Sequence, residues 1–199
     1  AMKYYKHAYN TEDYSEAYQS YRKEWMEDYL WVIPVVVFAI IFGVSKFFKY
    51  ANKVNKKGQK QKEKRSFGEE ILYAFHIIFH PFDGFWDLKH EKRGSVRGAI
   101  FWLVVSCFAF VYQSIGVGYL RNPMGGGGSY IMSCISIISP VMLWVVANWC
   151  LTTLFEGEGT MGDIFTACCY CLTPLPLLIL PATIASNFLA ENEGGIITM

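Results

Sequence analysis

Charged side chains are missing from most of the second half of this 199-residue chain. Ala99 to Leu120, Tyr130 to Phe155 and Ile164 to Leu189 contain no Asp, Glu, Lys or Arg, and Trp31 to Phe48 contains only Lys46. That pattern excludes an ordinary soluble fold, because each run is near or above the roughly 20 apolar residues that carry a helix across a bilayer core. Signals for cross-linking are lacking too. The six cysteines, Cys107, Cys134, Cys150, Cys168, Cys169 and Cys171, all lie inside apolar runs, where cysteine acts as a small hydrophobe, and no disulfide framework is expected. There is no Ser-His-Asp arrangement, phosphate-cradling loop or nucleotide motif. Accordingly no enzymatic activity, cofactor or nucleic-acid partner is expected. Ala1-Met2 lacks the basic region of a signal peptide, so the sequence is expected to start at an internal or engineered boundary.

What is there reads as an all-α, multi-pass helical membrane protein. Its formal net charge of +1 hides an asymmetry. Lys46, Lys49, Lys53, Lys56, Lys57, Lys60, Lys62, Lys64 and Arg65 follow one another closely, and Lys89, Lys92, Arg93 and Arg97 precede the second apolar run. The first thirty residues carry Glu12, Asp13, Glu16, Glu24, Glu27 and Asp28 instead. The positive-inside bias then places residues 46–97 in the cytoplasm and the N-terminus outside. The lysine run serves as a solvated stop-transfer flank and can also attract anionic headgroups.

The expected division follows from these shifts. Residues 1–30 form an outside helical end, 31–48 a first transmembrane helix, 49–65 a basic cytoplasmic linker, and 66–199 a further domain. Within the last, 66–98 is an interfacial amphipathic elbow, and 99–120, 130–155 and 164–189 are spans. In the N-terminal part, Asp13-Tyr14-Ser15-Glu16-Ala17 with Tyr21-Arg22-Lys23 resembles the second helix of a tetratricopeptide repeat, over one repeat at most; an amphipathic helix hairpin is the alternative. Ser66 and Glu69 stand at capping-box spacing before Ile71 to Phe79, a run too short to cross a bilayer, so this helix is expected to lie in the headgroup plane. Pro81 breaks it, and a second short helix carries Phe85, Trp86 and Leu88.

Gly125 to Ser129, GGGGS, matches the flexible linkers of engineered proteins and is expected to stand in for a natural loop. Thr160 and Asp163 repeat the capping-box spacing. In the last span Pro174, Pro176 and Pro181 remove backbone donors, which predicts a kinked or broken helix near mid-membrane. Asn148 is a polar side chain deep in the third span and is expected to bond another helix, such as the carbonyls freed by Pro174 or Pro176. His76, His80, Asp83, Asp87 and His90 are close enough in sequence to sketch a metal site, but the Pro81 break and the interfacial setting favour none. Cys168, Cys169 and Cys171 read as packing residues. Glu156, Glu158 and Asp163 read as turn and cap residues.

The run His80-Pro81-Phe82-Asp83-Gly84-Phe85-Trp86-Asp87-Leu88-Lys89-His90-Glu91-Lys92-Arg93-Gly94, with Asn148-Trp149, Leu154-Phe155-Glu156-Gly157-Glu158-Gly159 and Pro174-Leu175-Pro176, resembles the Gram-positive branch of the bacterial Yip1-domain membrane proteins. The resemblance covers about Phe67 to Met199. It implies a multi-pass helical domain with a cytoplasmic entry region, and a further span beyond Met199. Eukaryotic relatives bind small prenylated GTPases, but their Asp-Leu-Tyr-Gly-Pro signature is absent, so that partner is not carried over.

The expected role is a scaffold or adaptor without catalytic activity, touching membrane lipids and docking with another membrane protein or transporter complex. Phe75, Phe79, Phe82, Phe85, Trp86, Lys89 and Arg93 are the expected interface and partner residues; Asn148, Pro174, Pro176 and Pro181 are the expected intramembrane polar and kink residues. The alternative is a transporter accessory or lipid-handling protein that uses the broken fourth span.

Overall fold

A computed structural model describes residues 2–60, 66–123, 129–190 and 193. Lys62, Lys64 and Arg65 of the basic run, residues 125–128 of the glycine linker and the end of the chain after 193 lie outside the described residues, as do the side chains of Lys57 and Lys60.

The N-terminal hairpin pairs α1 (Met2–His7) with α2 (Thr11–Tyr29). Tyr9 turns the chain in the left-handed region at φ 53°, and Asn10 caps α2 by accepting the Asp13 N–H at 3.2 Å. The partner helix that a tetratricopeptide pair would need is only six residues long. Helix α3 (Val32–Lys60) carries the first apolar run and continues well into the basic stretch. Nothing between Phe48 and Lys57 stops it, because that stretch holds neither proline nor glycine.

After the basic stretch come α4 (Phe67–Phe79) and α5 (Pro81–His90). Glu69 reaches back to accept the Ser66 N–H at 3.2 Å, as the capping-box spacing predicts. Pro81 opens α5 at a position where its missing N–H is harmless. Three longer apolar elements follow: α6 (Val96–Gly116), α7 (Tyr130–Leu154), and a last span split into α8 (Met161–Cys171) and α9 (Pro174–Ser186). Thr160 and Asp163 cap α8 reciprocally. The split falls at Leu172-Thr173, where Thr173 N–H bonds back only three residues, to Tyr170 O at 3.3 Å, before the donorless Pro174. Pro181 lies inside α9 without ending it, and α7 also accommodates a proline, Pro140.

Four candidate spans are thus long and apolar enough to cross a membrane: α3, α6, α7 and α8 with α9. Short side chains let α6 approach α9, with Gly118 N–H donating to Ser186 Oγ at 3.1 Å and Ser114 and Ser133 Oγ 2.9 Å apart on the α7 side. The core gathers Tyr73, Ala74, Phe75 and Ile77 of α4 with Leu88, Ala99, Trp102, Cys169 and Tyr170. Helix α3 stands apart, since none of the residues in its most apolar 18-residue stretch is buried.

The hairpin docks on the end of the bundle where α6 finishes and α9 finishes. Tyr14, Tyr18 and Arg22 recur every four residues on one face of α2. The Tyr14 ring meets Tyr119 edge-on at 4.8 Å, Tyr18 Oη donates to Asn187 O at 3.3 Å, and Arg22 grips both Glu193 carboxylate oxygens at 2.7 and 2.6 Å. The Arg22 hydrogen bonds hold the Glu193 carboxyl at about 2, below its usual 4.5, with the Ala190 N–H acting in the same direction. Because that value is depressed on folding, the pair stabilises the docked hairpin above about pH 4.5 and loses its contribution as pH falls towards 2. Glu193→Gln should therefore raise amide exchange in residues 11–29 at neutral pH by up to about fivefold, as befits a partly exposed pair; unchanged exchange would show that the tyrosines alone hold the hairpin.

Candidate functional site

In the Ser66 to Gly98 stretch the apolar side of the first helix is turned to other helices of the bundle. Helix α4 has apolar residues all along one stripe, and Glu70, Tyr73, Ala74 and Ile77 are buried at helical spacing together with Phe75. Four other helices cover that stripe. Three successive carbonyls of α4 each receive a side chain from a different neighbour: Tyr170 Oη of α8 donates to Glu70 O at 2.9 Å, Trp102 Nε1 of α6 to Ile71 O at 3.3 Å, and Asn55 Nδ2 of α3 to Leu72 O at 3.1 Å. A carbonyl already bonded within its helix keeps a second lone pair, and these donors use it. The first half of the elbow is therefore the hub of the bundle.

This corrects the expected aromatic interface at two positions. Phe75 is 8% exposed, packed edge-on against Phe47 at 5.1 Å and Trp102 at 5.8 Å. Arg93 is 5% exposed: it pairs with Asp87 at 3.0 Å, donates to Asn55 O at 2.9 Å, and lies over the Tyr73 ring at 4.7 Å. The physical reason is the tight chain reversal after α5, where Lys92 sits at φ 48° and folds Arg93 back towards Asp87. Phe79, Phe82, Trp86 and Lys89 face outward, with Phe82 91% exposed, and Phe85 is half-buried. The outward face is thus made chiefly by α5, with Phe79 at the end of α4.

Burial, reinforced by the Arg93 and His80 charges, lowers His76 from the ordinary imidazole value, while Asp87 and Asp83 work the other way. The His76 and His80 rings are 5.2 Å apart, His90 stacks on Trp86 at 4.5 Å, and among the described residues no three His, Cys, Asp or Glu side chains converge as metal ligands. Glu70 is buried as well, accepting from Ser95 Oγ and standing 3.6 Å from Arg97 at the start of α6. A carboxylate at a helix N-terminus stabilises the helix dipole, which gives Glu70 a capping role.

Asn148 corrects a second expectation. Its amide donates to Trp144 O of its own helix at 2.8 Å and reaches no carbonyl near Pro174 or Pro176. The carbonyl one turn back is always within reach of a polar side chain in a helix, and Thr152 and Thr153 use the same solution. Beside the α8–α9 break lies an apolar crevice of about 440 Å³, lined by Phe110, Ile137, Pro140, Trp144, Leu172 and Leu175. Sequence reading missed Pro140, Asn55, Tyr73 and Tyr170, although Pro140 was legible as a break in the α7 hydrogen-bond ladder.

The four candidate spans and the all-helical chain define a multi-pass helical membrane protein. A family model, the Yip1 domain, matches residues 75–198. The match takes in more than half of the chain, which belongs to the Yip1-domain family; the first three helices and the start of α4 precede it. No curated protein and no solved structure matches the chain.

Proposed function

We propose that this protein is a non-catalytic scaffold or adaptor in a bacterial cell membrane, with its N-terminus outside and residues 46–97 in the cytoplasm, docking with another integral membrane protein or transporter complex. The observation that carries the reading is α3. Its membrane stretch exposes Phe38 at 72%, Ile40 at 59% and Phe42 at 63%, while its inner end is tied to α4 by Asn55 and its outer end leads into the docked α2. A span held at both ends and bare between them presents its full circumference to lipid or to a partner helix. Phe79, Phe82, Phe85, Trp86 and Lys89 serve in this reading as the cytoplasmic face that meets headgroups or the partner.

A photo-crosslinking residue in place of Phe38 or Phe42, irradiated in native membranes, should give a discrete adduct with another integral membrane protein. Adducts with lipid alone, together with a purified chain that turns over a substrate, would sink the adaptor reading. The crevice beside the α8–α9 break favours the second reading, a transporter accessory or lipid-handling protein. Accelerated lipid exchange between leaflets of reconstituted vesicles, abolished by Leu172→Trp, would support that reading over the first.

A further inference from the structure

The helical turn between His76 and His80 is closed before the chain breaks, since His80 N–H donates to His76 O at 2.9 Å and Pro81 only follows. Residues four apart on a closed turn share one face of the helix, and both histidines line a single cavity of about 510 Å³ between α4 and the C-terminal part of α3. Their ring centres are 5.2 Å apart. Two imidazoles on one tetrahedral Zn²⁺, each bound through a nitrogen at about 2 Å, hold their ring centres about 5 Å apart, so the pair already stands at a chelating separation. Among the described residues no hydrogen bond occupies a ring nitrogen of either histidine.

The opposite wall supplies oxygen. Asn55, 7% exposed, lines the same cavity; its Nδ2 is committed to Leu72 O and its main-chain carbonyl to Arg93, but among the described residues nothing donates to its Oδ1. Leaving a buried carboxamide oxygen without a donor is costly, and a metal-bound water is a strong donor. The exposed Asn52 brings a second carboxamide to the rim. Phe48, Phe75 and Phe79 complete the wall, and an apolar surround favours coordination by keeping bulk water back.

Charge also suits a cation. No lysine lines the cavity, and helical spacing turns Lys46, Lys49 and Lys53 at least about 100° from the middle of its α3 wall. The charged side chains acting on His76, besides His80, are Arg93, Asp87 and Asp83. Arg93 and Asp87 cancel in their ion pair at 3.0 Å, which leaves the exposed Asp83 carboxylate as the net charge on this side.

We propose that His76 and His80 chelate one transition-metal dication of the Zn²⁺ class, with water at its remaining positions and the Asn55 and Asn52 carboxamide oxygens accepting from that water. Imidazole donors select Zn²⁺ over Mg²⁺ and Ca²⁺, which need a shell of oxygens. Two protein ligands instead of four make the site exchangeable and not structural. The ion joins the two parts of the chain, because the histidines lie within the matched family domain and the asparagines on the helix before it. It thereby adds a second tie beside the Asn55–Leu72 hydrogen bond. The inference is independent of the adaptor reading, since the purified chain carries the whole site.

The test titrates the full chain, without a polyhistidine tag and stripped by chelator in detergent, with Zn²⁺ alone in competition with a chromophoric chelator. One equivalent should bind, and millimolar Mg²⁺ or Ca²⁺ should leave it in place. His80→Gln, at an exposed position, should weaken binding by about a hundredfold, because a ligand is worth at least as much as the neighbours that orient it. Asn52→Ala, which removes one acceptor for the bound water, should cost about tenfold. His90→Gln, whose ring stacks on Trp86 instead, should change nothing. Amide exchange at residues 50–56 should slow when Zn²⁺ is added to the parent, but not in His80→Gln. No bound equivalent, binding untouched by His80→Gln, a loss in His90→Gln as large as in His80→Gln, or exchange at residues 50–56 indifferent to Zn²⁺ would each overturn the proposal.

Discussion

Gly98→Ala is expected to cost about 3 kcal/mol, read as a lowered thermal midpoint of the detergent-solubilised chain, because overpacking a filled core and breaking a buried hydrogen bond act together. A methyl at this position would overlap Tyr170 Oη and come 3.3 Å from Tyr170 Cζ. The ring cannot step aside at low cost: it is 1% exposed, it sits 6.2 Å from the Tyr73 ring, and its hydroxyl is committed to Glu70 O. Tyr170→Phe should cost about 1 kcal/mol by itself, and Gly98→Ala should then add little, since the overlapping oxygen is gone. Additive losses around that cycle would show that the glycine is needed for some reason other than Tyr170, and a Gly98→Ala midpoint equal to the parent's would dispose of the close contact altogether.

That close approach explains what the sequence could and could not convey. The spans were readable because the absence of charge over Ala99 to Leu120 or Tyr130 to Phe155 has one physical meaning in a chain of this length. The helix starts at Ser66 and Thr160 were readable because capping is a contact between neighbours in sequence, and the break before Pro174 because proline lacks its donor wherever it stands. Helix α4 was a different problem. Its stripe of Glu70, Tyr73, Ala74 and Ile77 says that one face avoids water, but hydrophobic periodicity is the same whether that face is covered by acyl chains or by other helices. The choice was made by donors far off in sequence, Tyr170 being 100 residues from Glu70. Similarly, Arg22 and Glu193 are 171 residues apart, and no local pattern announces their pairing.

Polar residues were misread for a related reason. Asn148 was assigned a partner on another helix because an unpaired amide in a bilayer is costly. The cost is real, yet the carbonyl of Trp144 one turn back removes it without any tertiary contact. Depth in the membrane therefore demands a hydrogen bond without specifying where it comes from. The same logic allows Asn55 to serve as a tie between α3 and α4, since its position towards the C-terminal end of α3 brings it against the Leu72 carbonyl.

Arg93→Ala should be at least as damaging as Gly98→Ala, with a loss of about 4 kcal/mol, because removing one partner of a buried ion pair strands the other. Asp87, with a side chain only 14% exposed, would be left with no cation beside it, the Asn55 carbonyl would lose its donor, and the Tyr73 ring would lose the guanidinium over its face. Arg93→Lys should recover part of the loss, since an ammonium can neutralise Asp87 but cannot reproduce the planar fork that also reaches Asn55. A second readout separates a general loss of stability from a specific hold on α3. Asn55 both accepts from Arg93 and donates to Leu72 O, so Arg93 holds the C-terminal part of α3 through a single residue. Amide exchange at residues 50–56 should rise in Arg93→Ala before exchange in α6 or α9 changes, whereas Asp83→Asn, at an exposed position on the same helix as Asp87, should leave it as it was. If α3 and α6 instead loosen together, Arg93 supports the bundle as a whole. In the expected case, a cation that sequence alone assigned to the membrane surface is the residue by which the Yip1 domain holds the span in front of it.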